Sequence, residues 1–256
     1  MATYVLIPGA GGASWYWHRV VPLLAAQGHA ALAVDLPADD DTAGIAEYAD
    51  AVVAAVTATR GHGGHAGGGG DRDHADLVVV AQSLGGFTAP LVCERLPVDL
   101  LVLVNAMIPL PGETAGAWWD NTGQAQARAE LAASDGRSAE FDAMEDFLHD
   151  VPPDVIADSE AHQRDQSGAP FAQPWPLAAW PDVPTRVLVG RDDRFFPAAF
   201  QHRVARERLD VEPDEIPGGH LVALSRPHEL AEHLERCRRE LHEAAAAPGD
   251  VSARAF

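Results

Sequence analysis

The sequence has no lysine, since all 18 of its basic residues are arginine, and these stand against 38 acidic residues. A chain without lysine has no side chain for a Schiff base and no lysine general acid. Its formal net charge of -20 repels both phosphate backbones and anionic lipid headgroups. We therefore expect neither a nucleic-acid partner nor a membrane partner.

Cysteine and long apolar runs are also scarce. Cys93 and Cys237 are the two cysteines, and they fall inside predicted helices without metal-ligand or redox spacing, so we expect buried thiols. No apolar run approaches the length of a membrane span, and the N-terminal residues 1–4 lack the charged lead and apolar core of a signal peptide. These absences predict a cytoplasmic protein, and both a monomer and a homodimer stay open.

Short apolar runs alternate with longer segments of helical period along most of the 256 residues. This alternation is typical of one α/β domain with a mostly parallel central sheet flanked by helices. The predicted strands are 4–7, 31–34, 77–80, 100–104, 186–189 and 211–216. The predicted helices are 17–27, 45–59, 84–95, 198–208 and 227–244.

Residues 106–182 interrupt this alternation, with helical patches at 124–133 and 139–149. So long an insertion between two strands predicts a cap or lid over the strand ends. The core would then comprise 1–105 and 183–246, followed by a flexible tail, 247–256.

A Gly- and His-rich stretch at 61–72 predicts a flexible surface loop. His62, His65 and His74 suggest a metal site at first sight. Glycines impose no fixed ligand geometry, however, and no acidic or thiol partner recurs at ligand spacing. We therefore expect no metal.

Ser83 lies in the segment 81–86, which directly follows the apolar run 77–80 and opens a predicted helix. A serine on such a tight strand-to-helix turn projects its hydroxyl beyond the sheet, provided that its neighbours are small. Ala81 and Gly85 meet that requirement, and the N–H of Leu84 would lie at a helix N-terminus, where it can stabilise an oxyanion. Ser83 is the candidate nucleophile, and the alternative is a helix N-cap.

A glycine-rich turn, 8–12, follows the first predicted strand. Such a turn presents backbone N–H groups without side-chain obstruction, and Ala10 is our candidate for the second oxyanion donor. Dinucleotide-binding loops also begin this way. This one lacks their third glycine, and the bulky run 14–17 stands where a pyrophosphate needs open backbone.

An acid and a histidine follow the last two predicted strands. Asp193 comes three residues after Gly190, and Asp192 is its rival for the same role. His220 follows the glycines of 217–219, which allow its loop to fold back toward Ser83. A lone histidine is more often structural, but the order serine, acid, histidine favours a catalytic triad.

These four features in this order resemble the α/β-hydrolase superfamily, and residues 4–10 and 14–17 resemble its branch of plant methyl esterases and hydroxynitrile lyases. The resemblance implies an α/β-hydrolase fold with a small helical cap inserted after the sixth strand. Position 8 is proline where the family usually has histidine, and position 81 is alanine where it usually has glycine. Lyases of this branch carry a lysine after the catalytic histidine, whereas this chain has Leu221, so the esterase route is favoured.

We therefore predict a cofactor-independent serine carboxylesterase for a small apolar or aromatic ester. His220 would take the Ser83 proton, Asp193 would orient His220, and the N–H groups of Ala10 and Leu84 would hold the oxyanion. Aromatic side chains are frequent in the predicted cap, where most would fill its core and one or two would line the pocket. The candidates for substrate contact are Gly9, Trp15, Trp118, Trp119, Phe196 and Leu221.

Three rival functions are compatible with this fold. A ligand-binding sensor could retain the triad, and a lyase or cyclase could use His220 as a base, because the triad does not fix the substrate. Epoxide hydrolases and dehalogenases need a carboxylate nucleophile at this turn, so the serine at position 83 argues strongly against them.

Overall fold

The computed structural model describes residues 1–62 and 75–246. Its strands are β1 Ala2–Ile7, β2 Ala30–Ala33, β3 Asp76–Gln82, β4 Leu100–Val104, β5 Thr185–Gly190 and β6 Asp214–Ile216. The helices are α1 Val21–Ala26, α2 Ile45–His62, α3 Gly85–Cys93, α4 Ala115–Thr122, α5 Gln124–Ser134, α6 Ala143–Asp146, α7 Pro153–Ser159, α8 Ala169–Ala172, α9 Ala198–Leu209, α10 Val222–Ser225 and α11 Pro227–Ala246. Two short 3-10 helices lie at Ser14–Trp17 and Glu160–His162.

The six strands form one sheet in the order β2-β1-β3-β4-β5-β6, and every neighbouring pair is parallel. The predicted fold class is confirmed. Because all strands run the same way, their carboxyl ends meet at one edge, where ligands bind in open α/β sheets. The loops that leave β1, β3, β5 and β6 at this edge carry every candidate catalytic residue.

Alternating strand residues supply two apolar layers, one on each face of the sheet. Val5 and Ile7 face the layer beneath α2, α3 and α9, whereas Tyr4 and Leu6 face the layer beneath α1 and α11. All four side chains are fully buried. Burial on both faces explains why the central strands read as continuous apolar runs in the sequence.

The segment 106–182 holds helices α4–α8 and, among its described residues, no strand. It follows the fourth strand of the chain, so the expected insertion after the sixth strand is wrong, because only four strands are complete by Val104. Its division from the core as a cap stays a prediction. The patch predicted at 139–149 is helical only over Ala143–Asp146.

Residues 63–74 and 247–256 lie outside the described part of the chain, and with them the predicted flexible tail, most of the predicted loop and the side chains of its histidines. No helix among the described residues combines the length and apolar character that crossing a bilayer demands. The cytoplasmic location stays a prediction.

Candidate active site

Ser83 connects β3 to α3 with a backbone φ of 49°, in the left-handed region that non-glycine residues rarely adopt. The turn is closed by close backbone approaches. A Cβ at Gly85 would lie 2.8 Å from the Pro8 carbonyl oxygen, and one at Gly86 would lie 2.0 Å from that of Met107. Positions 85 and 86 therefore have to be glycine, and this packing holds Ser83 in its strained conformation.

Ser83, His220 and Asp193 meet at the carboxyl edge of the sheet. The His220 Nε2 lies 3.2 Å from the Ser83 Oγ, and its Nδ1 lies 2.8 Å from the Asp193 Oδ2. His220 and Asp193 are each 1% exposed, whereas Ser83 is half-buried. A buried carboxylate on one ring nitrogen and a hydroxyl on the other is the arrangement that activates a serine for nucleophilic attack.

The carboxylate of Asp193 is held at both oxygens. Its Oδ1 accepts the backbone N–H groups of 195–196 at 2.9 and 2.8 Å, and its Oδ2 also accepts the Gln201 Nε2 at 3.2 Å. Asp192 is exposed and accepts the Gly218 N–H at 3.0 Å, on the loop that leads to the histidine. The structure thus brings Asp193, and not its rival, to the imidazole.

Three phenylalanine rings surround the His220 imidazole. The ring centroids of Phe147, Phe195 and Phe196 lie 5.1, 5.1 and 4.8 Å from it. Phe147 belongs to the segment 106–182, so that segment covers the histidine directly. These rings exclude water from the histidine and restrict its rotation, which strengthens its hydrogen bonds.

The loop 8–12 passes against the Ser83 turn. Neither the N–H of Ala10 nor that of Leu84 donates to a protein acceptor within residues 1–62 and 75–246. The neighbouring Gly11 N–H donates to the Gln166 Oε1 at 2.9 Å, so a side chain of the predicted cap fixes the loop. An oxyanion hole needs N–H groups that no protein acceptor occupies, so Ala10 and Leu84 stay the candidate donors.

A cleft of about 370 Å³ opens beside this loop. It is lined in part by Gly9, Trp15 and Leu221, three of the six residues predicted to contact substrate. Trp118 and Phe196 are fully buried, and Trp119 packs on both rings, so these three belong to the aromatic core and not to the cleft lining. A larger cavity of about 640 Å³ lies beside α5 and α9. The lining of neither space includes Ser83 or His220, but that of the smaller cleft includes Gln82 and Leu221, which adjoin them in the chain.

A family model described as "Alpha/beta hydrolase family" matches residues 4–233, which is most of the chain. The chain belongs to the alpha/beta hydrolase family. Its match to this family agrees with the order of the four sequence features and with the all-parallel sheet.

The chain has curated relatives among plant esterases. A probable esterase, PIR7A, from Oryza sativa is 28% identical over 166 residues, which cover 61% of this chain and 49% of the relative. Methylesterase 3 from Arabidopsis thaliana is 27% identical over 136 residues, or 49% of this chain and 47% of the relative. The chain therefore spans about half the length of these relatives.

Among solved structures, a pyrethroid hydrolase from Sphingobium faniae superposes on the hydrolase with a TM-score of 0.71. The two share 22% sequence identity over 94% of this chain and 99% of that one. At this identity the likeness concerns the fold.

Four residues that contact the candidate triad or the loop 8–12 were not singled out from the sequence, namely Asn105, Gln201, Phe147 and Gln166, although Phe147 was one of the aromatic residues expected over the pocket. Asn105 had one visible signal, a polar residue directly after the apolar strand β4 at the edge where ligands bind. The other three lie on helices or irregular segments, where no local pattern marks them.

The side chains of Asp214, His233 and Cys237 form the one group of potential metal ligands among the described residues of the hydrolase, with ligand atoms within 4.8 Å of one another. The Arg236 guanidinium contacts His233 and lowers its pKa further, beyond the effect of burial. A cation would meet that positive charge, so we assign no metal to the cluster.

Proposed function

We propose that the hydrolase cleaves carboxylic esters through an acyl-enzyme on Ser83. The observation that carries this proposal is the continuous hydrogen-bonded path from the Ser83 Oγ to the His220 ring, 3.2 Å, and from that ring to Asp193, 2.8 Å. The esterase names of the plant relatives support the same reaction.

In the first half-reaction, the Ser83 Oγ attacks the ester carbonyl carbon while its proton passes to the His220 Nε2. The carbonyl oxygen becomes an oxyanion, which the N–H groups of Ala10 and Leu84 stabilise. The C–O bond to the alcohol then breaks, and the imidazolium returns its proton to the departing oxygen.

In the second half-reaction, water attacks the acyl-enzyme, and His220 accepts one of its protons. Collapse of the tetrahedral intermediate releases the carboxylic acid and restores the Ser83 hydroxyl. Throughout both halves, Asp193 fixes the imidazole tautomer with a proton on Nδ1 and stabilises its cation. No cofactor or metal takes part in either half.

The cleft beside the loop 8–12 suggests the substrate class. Its volume of about 370 Å³ suits a small ester, and Trp15 and Leu221 give it apolar walls. The Trp15 ring stacks on both His18 and His162, at centroid distances of 4.4 and 5.0 Å, and these contacts fix its orientation in the cleft wall. Arg164 also lines the cleft, but its guanidinium is paired with the Asp39 Oδ1 at 2.9 Å. Because the net charge of -20 repels anions as well, we propose an uncharged apolar or aromatic ester.

Short-chain p-nitrophenyl esters test the proposal, with the Ser83→Ala variant measured beside the wild type. The wild type is expected to release p-nitrophenol and to react with a fluorophosphonate probe at Ser83, whereas Ser83→Ala does neither. Ser134→Ala, an exposed serine on α5, serves as the matched control and should keep full activity. Undiminished ester cleavage by folded Ser83→Ala would overturn the acyl-enzyme and point instead to base chemistry by His220.

A further inference from the structure

Asn105 follows β4 directly and is fully buried at the centre of the carboxyl edge. Its backbone φ is 45°, and Ser83 and Asp210 are the other non-glycine residues with positive φ in the described ranges 1–62 and 75–246. Asparagine tolerates this region of backbone conformation better than most residues do, so a turn alone would explain an asparagine at this position. It does not account for what the side chain contacts.

The Asn105 amide bridges two loops that carry triad residues. Its Nδ2 donates to the carbonyl oxygens of Gly219 and His220, at 3.0 and 3.1 Å, and its Oδ1 accepts the Gly190 N–H at 2.7 Å. Gly190 ends β5, three residues before Asp193. One buried amide therefore joins the backbone of the histidine loop to the start of the aspartate loop.

The bridge extends to the aspartate itself through Gln201. The Gln201 Nε2 lies 3.4 Å from the Asn105 Oδ1, 3.2 Å from the Asp193 Oδ2 and 2.6 Å from the Phe196 carbonyl oxygen. Gln201 is 4% exposed, so these contacts form where water does not compete.

The chemistry at position 105 requires both a donor and an acceptor. Two carbonyl oxygens face the Nδ2, and an N–H faces the Oδ1, so an amide satisfies all three. A carboxylate would place negative charge against the carbonyls of Gly219 and His220. That carboxylate would also lie near the Asp193 carboxylate, with the Gln201 side chain between the two.

We propose that Asn105 is a positioning residue, whose amide sets the His220 loop in register with the Asp193 loop so that the imidazole meets both Ser83 and the carboxylate. The inference rests on the proposed ester hydrolysis for its kinetic readout. Asn105 touches none of the reacting atoms and acts through the backbone of His220 and Gly190.

Two substitutions separate this role from that of a turn residue. Asn105→Gly accepts a positive φ without strain and removes the amide, whereas Asn105→Asp keeps the shape of the side chain and removes its donors. Asp210→Gly is the matched control, since Asp210 has a φ of 55° on the exposed end of α9.

We expect kcat for ester cleavage to fall by roughly tenfold to 10²-fold in both Asn105 variants, with KM within about threefold of wild type, because small displacements of a reacting group carry such costs. The Asp210→Gly control should keep the wild-type kcat. A wild-type kcat in folded Asn105→Gly would overturn the proposal and leave Asn105 as a turn residue.

A second readout does not depend on activity. The proton NMR signal of the His220 Nδ1–H reports its hydrogen bond to Asp193, and we expect it to shift upfield or broaden in both variants. An unchanged signal in either folded variant would contradict the proposal. If the wild type cleaves no ester and Ser83 takes no label, the proposed function fails, while this signal still decides the role of Asn105.

Discussion

Gly9 packs so closely on the Ser83 turn that a Cβ built on it would lie 2.8 Å from the Ser83 Cβ and 2.5 Å from the Gln82 Oε1. Real Cβ atoms do not approach their neighbours this closely, so the two loops can make this contact only with glycine at position 9. Ala10, the candidate oxyanion donor, is the next residue of the same loop. The loop after β1 and the turn after β3 therefore form one packed unit.

Substituting Gly9→Ala should separate these two loops and displace the Ala10 N–H. We expect kcat/KM for ester cleavage to fall by about 10²-fold, as for other small displacements in active sites. Steady-state kinetics with p-nitrophenyl acetate would measure the loss. Gly168→Ala is the control, because a Cβ at Gly168 meets no atom within 4 Å, and equal activity of the two variants would refute the packing argument.

The two adjacent aspartates allow a matched comparison of the triad acid. Asp193→Asn should lower kcat by about 10³-fold or more, because an amide on Nδ1 favours the wrong imidazole tautomer. Asp192→Asn keeps an oxygen for the Gly218 N–H and should change kcat only a few-fold. Steady-state kinetics of both purified variants test this. A larger loss of kcat in Asp192→Asn than in Asp193→Asn would show that Asp192 is the triad acid.

Most strands were predictable because burial on both faces leaves a continuous apolar run, as in β3 and β4. The sixth strand was predicted at 211–216 but occupies only Asp214–Ile216. It lies at the sheet edge, and Pro213, before it, has no N–H to donate to a ladder.

Helices were less predictable where a proline or a cap decides the boundary. The predicted helix 17–27 is a 3-10 turn followed by α1, which begins one residue before Pro22. Proline in the first turn of a helix was a visible signal for this start. Helix α4 went unpredicted, although Thr114 caps it by accepting the Ala117 N–H.

The candidate triad was predictable because each member follows a strand, and strand ends converge in a parallel sheet. The contacts that hold it were not. Asn105 and Gly219 lie 114 residues apart, and Gln201 meets Asp193 from the first turn of α9. Such pairings follow from the packing of whole elements, which no local pattern in the sequence encodes.

Both thiols should be unreactive in the folded protein. Burial raises the pKa of Cys93 to about 12 and that of Cys237 to about 11, so the thiolate fraction at pH 8 is on the order of 0.1% or less. We expect slow reaction with a disulfide reagent in native buffer and two equivalents of rapid reaction in guanidinium. Stoichiometric labelling of the native protein within minutes would contradict this.

His29 predicts how stability depends on pH. Its Nδ1 accepts the Ala2 N–H at 3.1 Å, which favours the neutral ring, whereas the Glu235 Oε2, 3.1 Å from its Nε2, favours the charged ring. Burial lowers the pKa of His29 below its usual 6.5. The unfolded chain therefore binds the proton more tightly, and the free energy of unfolding should decrease as the pH falls through 6.5 toward the lower folded pKa.

Thermal melts between pH 7.5 and 5 test this with His29→Gln, whose amide can accept from Ala2 and donate to Glu235 without titrating. His149 and His233 also have pKa values lowered by burial, so both proteins should lose stability on acidification. The Tm of the wild type should fall more than that of His29→Gln, and the difference between the two slopes of Tm against pH gives the contribution of His29. The Glu235 carboxyl, whose pKa is lowered from 4.5 mainly by its hydrogen bond to Arg238, titrates below this window. Parallel Tm profiles for the two proteins would show that His29 is not the titrating group.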